Sequence, residues 1–491
     1  MSSSTPVLGA SVEESTPLRN ASPDEIRATF ALQQANRWMV ASRTAAERIE
    51  SLKRLRSVLL ETRTDLFDAL WTDLHKPATE SELTELQPVL SEIGHTIKHL
   101  RKWMRPRKVR STMTMFGTHG EIRSEPKGVV LVIAPWNFPF QLLVDPIVAA
   151  VAAGNVVCAK PSEKTPSVSR YISRLIARVF PPEEVAVFEG DAEVAKSLLA
   201  LPFDHIFFTG STMLGRIIMG AAAKHLSSVT LELGGKSPAI VDASADVEAA
   251  ADRIVWGRFV NAGQTCVAPD YVLVHESVKA RFLEKARDAI GRAYGASDAD
   301  RKKSGDYCRI VDGAAFDRLS GLLDDAIERG ALLAAGGQRD AAERYIAPTI
   351  LTDIPSDAEI LKDEIFGPIL LVVGVRSIDE AIAAVRSRPK PLALYIFSKD
   401  ARATERVLAQ TTAGGTAVNN VVIHFVHPNL PFGGVGESGL GNYHGEAGFR
   451  TFSHERSILR QGLPALFGSF YPPYTPRVAK FVGAVTRWLS S

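Results

Sequence analysis

The chain has 491 residues, 45% of them hydrophobic and 23% charged, enough for two or three units that each bury a core of their own. Its 57 basic and 55 acidic side chains leave a formal net charge of +2, so no whole-molecule field favours nucleic acid or a membrane, and a small soluble substrate is the default partner. Three cysteines, Cys158, Cys266 and Cys308, are too few for a disulfide framework, and an odd count leaves one unpaired, so a reducing, cytoplasmic setting is expected.

Residues 1–22 are rich in Ser, Thr, Pro and Glu, with neither a basic region nor an apolar run, and read as a flexible tail. From 23 to about 103 the pattern is helical: Ser22 is a candidate cap, and Leu, Ile and Phe recur at three- and four-residue steps through charged stretches such as 43–73. Between Pro106 and Pro126, Met113, Met115, Phe116, Gly117 and Gly120 sit in a polar, turn-forming segment, which reads as a protruding hairpin.

Strands and helices then alternate. Strands are predicted at 128–134, 155–159, 185–188, 205–208 and 229–233, with helices at 141–153, 167–179, 192–201 and 213–225. Short strands that are apolar on both faces and alternate with helices indicate a parallel sheet covered on each side, a doubly wound domain with ligands beyond the carboxyl ends of its strands. A second series follows at 239–242, 271–275, 369–375, 392–397 and 416–419, so two α/β domains with a cleft between them are expected. The glycine-rich tract from Pro431 to Gly436 suits a close backbone crossing rather than a regular element. Near the end, Val478, Phe481, Val482, Val485 and Trp488 recur at helical spacing among Arg477, Lys480 and Arg487. Docking on the protein itself or on a sister subunit is the favoured reading of that helix, and peripheral contact with a membrane surface is the alternative. No run reaches the roughly 18–20 apolar residues of a membrane span.

Several residues stand where chemistry is done. Cys266 follows an amphipathic helix on a turn loosened by Gly263, where backbone N–H groups can reach a thiolate; a small buried hydrophobe is the commoner fate of a cysteine. Glu232, between Leu231 and Leu233 at a strand end, should be desolvated and its pKa raised toward that of a general base, with an ion pair as the alternative. Asn137, fixed between Pro135 and Pro139 among Trp136 and Phe138, offers an amide donor to an oxyanion, or simply bonds its own turn. Gly210, Ser211 and Gly215 open a helix directly after a strand, a context for a phosphate at a helix N-terminus, although the motif is not G-x-G-x-x-G. Lys160 and Glu163 end another strand, where they could reach ribose hydroxyls or a 2′-phosphate, or simply stand as solvated strand-end charge. Trp136, Phe138, Phe140 and Phe425 point to an apolar substrate tunnel. Gly235-Lys236-Ser237 lacks the earlier glycine of a P-loop, Gly436-Glu437-Ser438-Gly439 lacks the spacing of a nucleophile elbow, and no Cys/His spacing fits zinc, so no metal is expected.

The tracts Pro135-Trp136-Asn137-Phe138-Pro139, Lys160-Pro161-Ser162-Glu163, Phe207-Phe208-Thr209-Gly210-Ser211, Leu231-Glu232-Leu233-Gly234-Gly235-Lys236, Gly263-Gln264-Thr265-Cys266, Glu364-Ile365-Phe366-Gly367-Pro368 and Pro431-Phe432-Gly433-Gly434 together resemble the aldehyde dehydrogenase superfamily, in its order and over about 300 residues. Lys160 to Glu163 and the stretch from Pro428 to Gly445 look most like its class 3, fatty-aldehyde branch. The usual Glu-Glu before Ile-Phe-Gly-Pro stands here as Asp363-Glu364.

The resemblance implies NAD(P)-dependent oxidation of an aldehyde to an acid through a thioester on Cys266, with Glu232 as base and Asn137 as oxyanion donor. It implies NAD or NADP contacts at Trp136, Lys160, Glu163, Gly210, Ser211, Gly215, Leu233, Glu364 and Phe366, and a substrate pocket including Phe138, Phe425 and His444. It further implies a cofactor domain (23–105 and 127–234), a catalytic domain (235–425) and an oligomerisation arm with C-terminal tail (106–126 and 426–491) that pairs subunits into a homodimer. Medium- or long-chain aliphatic and aromatic aldehydes are the expected substrates. The rivals are a CoA-acylating dehydrogenase, which Glu232 argues against, a cysteine esterase using Cys266 with His444, and a non-catalytic scaffold.

Overall fold

Two parallel-rich sheets, each made where β-branched and aromatic runs alternate with helices, organise the chain in the computed structural model, which describes residues 18–112, 115–462 and 471–490. The expected tail up to residue 17 and Met113 of the expected hairpin lie outside the described residues.

The first sheet has six strands in the order Gly439–Leu440, Ser228–Glu232, His205–Thr209, Val129–Ile133, Val156–Lys160 and Val185–Val187, all parallel except the first. Side chains alternate between its faces, as a two-residue period requires. Val130, Val132, Val157 and Phe207 join one core with Leu143, Ile147, Ile172 and Ile176. Leu131, Ile133, Cys158, Ile206 and Phe208 join the other with Phe30, Val194 and Ile218. Both faces are therefore covered, which is why these strands read as continuous apolar runs.

The second sheet runs Leu332–Ala335, Thr349–Thr352, Ile369–Val375, Tyr271–His275, Pro238–Val241, Ala393–Phe397, Gly415–Val418, with only the first pairing antiparallel. The first two strands of this order, Leu332–Ala335 and Thr349–Thr352, were not among the sequence expectations. In the first of them Leu332 and Leu333 are exposed, so the strand lacks the apolar alternation that marks the others.

A third, antiparallel sheet joins Arg107–Val109 to Thr118–Pro126 and Thr118–Pro126 to Ser453–Gln461. The expected hairpin is present, extended by a strand from more than 300 residues later. The glycine-rich tract makes the close crossing its composition predicts: a Cβ on Gly434 would lie 1.9 Å from the Ser438 carbonyl oxygen. The crossing lets Gly439 and Leu440 pair with Glu232 and Leu231 at the sheet edge. The helix Pro476–Leu489 forms, capped by the Thr475 hydroxyl, and none of its residues is buried.

Candidate active site

The nucleophile candidate sits on a strained turn. The helix Val247–Phe259 runs into Asn261, Ala262 and Gly263, all with positive φ (54°, 50° and 74°), and the chain then passes Gln264 and Thr265 to Cys266. Left-handed alanine and asparagine persist only when neighbours hold them. Gln264 does so from both ends of its amide: Nε2 donates to the carbonyls of Asn261 (3.0 Å) and Arg309 (3.1 Å), and Oε1 accepts from the Val311 N–H (2.9 Å). A Cβ on Gly263 would lie 2.2 Å from the Gly367 carbonyl oxygen, so glycine is required there.

Two cavities meet at this turn. One, of about 480 Å³, is lined by Cys266, Phe138, Leu142, Trp256, Phe425, Phe432, Tyr443 and His444, among others. The other, of about 850 Å³, is lined by Cys266, Trp136, Asn137, Gly210, Ser211, Glu232, Leu233, Gly234, Glu364 and Phe366, and shares Leu142, Phe432 and Tyr443 with the first. Of the side chains common to both, Cys266 alone carries a nucleophile of ordinary reactivity.

Glu232 ends its strand 3% exposed, and neither carboxylate oxygen has a hydrogen-bond partner among the described residues. Burial pushes its pKa well above the usual carboxylate range, as the flanking leucines lead one to expect, and the alternative of an ion pair is not realised among the described residues. The Cys266 thiol is pushed up to about 12, first by burial and then by the Glu364 and Glu232 carboxylates, while the N–H groups of Cys266 and Val267 oppose the rise. The backbone donors expected around a thiolate are present but outweighed. Asn137 Nδ2 donates to the Gln264 carbonyl at 3.0 Å, which leaves its second N–H without an acceptor among the described residues.

The larger cavity fits a dinucleotide. Ser211 caps the helix Thr212–Ala223, accepting from the Leu214 N–H, and the first turn of that helix, Thr212 and Met213, lines the cavity beside Gly210. Gly215 does not line the cavity; a Cβ there would strike Leu233 at 2.7 Å, so this glycine serves helix-on-strand packing. Trp136 meets Phe366 edge-on (5.3 Å) on the same side, away from the smaller cavity. Glu364 reaches over Gly234, where any Cβ would lie 2.1 Å from its Oε2, and its pKa is raised to about 8 by burial and then by Asp270. Lys160 and Glu163 lie outside both linings, paired with each other at 3.1 Å at the end of a strand two places along the sheet from Thr209. Phe140 is fully buried against Tyr171 and lines neither cavity, which corrects its place in the expected tunnel.

The residues of the P-loop look-alike have another use. Lys236 Nζ donates to Asp270 (2.6 Å) and to the carbonyls of Ile360 (2.9 Å) and Asp363 (2.8 Å), and Asp270 also accepts from the Ile365 N–H (2.9 Å). Together they hold the segment that presents Glu364 and Phe366.

A second set of buried charges was invisible in the sequence. Lys76, 0% exposed, donates to Glu85 (2.8 Å) and to the Asn137 carbonyl (3.3 Å), and lies over the Phe138 ring. Glu85 also accepts from the Gln141 N–H (2.8 Å), and Glu80 accepts from the Asn261 N–H (2.9 Å). These three side chains, around a π-helical turn at Glu82–Leu86, tie the Asn137 loop to the Cys266 turn; such turns often mark functional sites, and that irregularity has no signature in the helical periodicity. Lys76→Met is expected to lower kcat at least about tenfold while the cofactor KM moves less than about threefold, and to destabilise by about 3–5 kcal/mol because Glu85 is left buried and unpaired. Steady-state kinetics and urea unfolding check both.

His444 does not partner Cys266. Among the described residues no hydrogen bond joins them, and burial lowers the His444 pKa to about 3, which disfavours the Cys–His pair of an esterase.

The fold, with two cavities that meet at one thiol, is the architecture of a nicotinamide-dependent oxidoreductase. The profile of the aldehyde dehydrogenase family matches residues 9–458. The chain is 45% identical over 427 residues to 4,4'-diaponeurosporen-aldehyde dehydrogenase of Staphylococcus aureus, covering 87% of this chain and 92% of that one. It is 43% identical over 435 residues to the dimeric NADP-preferring aldehyde dehydrogenase of Canis lupus familiaris, covering 88% and 94%. The structure of a Staphylococcus aureus AldH in its substrate-bound state superposes with a TM-score of 0.89 at 43% identity, over 94% of this chain and 99% of that one. The chain belongs to the aldehyde dehydrogenase family and oxidises aldehydes with NAD or NADP.

Proposed function

We propose that this enzyme oxidises medium- or long-chain aliphatic and aromatic aldehydes to acids through a thioester on Cys266. The observation that carries the reading is the position of Cys266 where a mostly apolar cavity meets one fitted to a dinucleotide. Bound in the larger cavity, NAD or NADP supplies the hydride acceptor. The Cys266 thiol gives up its proton to solvent, and the thiolate sulfur then bonds to the aldehyde carbon. The second N–H of Asn137 and the Cys266 N–H hold the alkoxide oxygen. Loss of the carbon-bound hydrogen as hydride leaves the thioester. Glu232, without a partner among the described residues, takes a proton from the water that attacks it, the carbon–sulfur bond breaks, Glu232 returns that proton to the sulfur, and the acid leaves. Trp136, Gly210, Ser211, Leu233, Glu364 and Phe366 contact the cofactor in this reading, and the Lys160–Glu163 pair meets the adenosine ribose.

Asn137→Ala is expected to lower kcat roughly 100- to 1,000-fold, the usual cost of one oxyanion donor, with cofactor affinity little changed; a loss under about threefold removes the role. Absorbance at 340 nm across a panel of aldehydes, with NAD and NADP and with coenzyme A omitted, tests the function as a whole. Oxidation that requires coenzyme A, or ester turnover without nicotinamide, overturns it.

The same reading takes the enzyme as a cytoplasmic homodimer joined through the three-stranded sheet, with the helix Pro476–Leu489 covering the sister subunit. Sedimentation with and without liposomes separates that arrangement from membrane contact.

A further inference from the structure

The smaller cavity is not apolar throughout. Gln141, Asp145, Glu92 and His444 line one side of it, at 3%, 1%, 5% and 7% exposure. Part of this polar wall is engaged internally. Gln141 Nε2 donates to Asp145 Oδ2 at 2.6 Å, and the Glu92 carboxylate accepts from the Gly445 N–H (2.9 and 3.1 Å) and from the Thr96 hydroxyl (3.4 Å). Asp145 Oδ1 and His444 Nε2, by contrast, have no partner among the described residues. Buried polar atoms are nearly always paired, and one left unpaired forfeits its hydration without return. Two such atoms in one wall of a substrate cavity point to a ligand that satisfies them.

We propose that Asp145 and His444 form a recognition subsite for a neutral oxygen function, a hydroxyl or a carbonyl, that the aldehyde carries away from its reacting carbon. The proposal rests on reading this cavity as the substrate pocket. Electrostatics set the ligand class. Burial, with the Glu92 and Glu85 carboxylates adding to it, drives the Asp145 pKa far upward, so the side chain stands as a carboxylic acid able to donate. Burial also keeps His444 neutral, one ring nitrogen donating and the other accepting. A carboxylate in the ligand would have to lose its hydration beside Glu92 in this buried wall and is disfavoured. An ammonium would have to lose its hydration among Phe138, Leu142 and Phe425.

The test compares kcat/KM for aldehydes matched in length: ω-hydroxyalkanals against alkanals through a graded series, para-hydroxybenzaldehyde against benzaldehyde, and ω-aminoalkanals as a charged arm. At one chain length or ring position the hydroxyl should raise kcat/KM at least about tenfold, since a site built to bond an oxygen rejects the analogue lacking it. Asp145→Leu should cut that ratio to below about threefold. Asp145→Asn, which keeps a donor and an acceptor in place, should retain it, an outcome that a merely structural role would not produce. If Asp145→Leu does not fold, His444→Phe supplies the same comparison. A parent enzyme with no ratio above about threefold at any position, a ratio untouched by both Asp145→Leu and His444→Phe, or a preference for the amine overturns the proposal. Failure to oxidise any aldehyde with either cofactor would instead overturn the reading of the pocket on which it rests.

Discussion

Cys266→Ala is expected to lower aldehyde oxidation by at least about four orders of magnitude, because removing the nucleophile of a covalent mechanism leaves only binding and oxyanion stabilisation. No other thiol can take over. Cys158 and Cys308 are 0% and 1% exposed, and burial pushes the pKa of each upward. Cofactor affinity, followed by quenching of protein fluorescence, should change less than about threefold, and mass spectrometry should detect no acyl adduct. A residual rate above about one per cent of the parent would place the chemistry elsewhere. The state of the thiol adds a second readout. With its pKa near 12 in the cofactor-free protein, Cys266 is protonated at neutral pH, and its thiolate fraction rises tenfold for each pH unit. Alkylation of the cofactor-free enzyme by iodoacetamide should therefore be slow at pH 7 and climb without a plateau through pH 10, whereas an ordinary cysteine levels off near 9.

The parallel strands were legible because burial on both faces writes a compact apolar run rich in β-branched residues, as at Val129–Ile133 and Ile369–Val375. Leu332–Ala335 was not legible, since its exposed leucines and edge position remove both the run and the alternation. At the site, residues in proline- or glycine-bracketed turns, Asn137 after a strand and Cys266 after a helix, stood out as candidates by local chemistry. Their supports did not. Lys76, Glu80 and Glu85 lie in a stretch that reads as one more charged helix, and their burial depends on a π-helical turn and on loops about 60 and 180 residues away. Asp145 was silent for a related reason. Within Gln141–Ala153 nearly every residue is buried, so one acid among apolar neighbours gives no sign of which cavity it faces. The place of Gly215 also required coordinates, because a glycine near a helix start serves a phosphate or a packed leucine equally well in sequence.

Glu232→Gln should separate the two halves of the reaction and, at the same time, make the protein more stable. The amide conserves volume in a site that is 3% exposed but accepts no proton from water, so the first turnover proceeds and the thioester persists. Stopped-flow absorbance should show an NADH burst near one per active site, followed by a steady rate lower by roughly 10²- to 10⁴-fold, the usual range for loss of a general base. In the parent, deacylation should rise with pH as Glu232 gives up its proton. Because burial lifts that pKa well above 4.5, the limb lies at higher pH than for an ordinary glutamate, and the variant should lose it. Stability runs the other way. The folded protein holds this proton more tightly than the unfolded chain does, so the stabilising effect is complete below about pH 4.5 and is lost as pH rises toward the folded pKa. Glutamine has no proton to lose, so the variant should exceed the parent in urea midpoint at neutral and alkaline pH and match it near pH 4. A variant that is slower and no more stable would mean that Glu232 is not held as an unpaired acid, because the property that makes it a base for water, burial without a partner, is also what makes its charge costly.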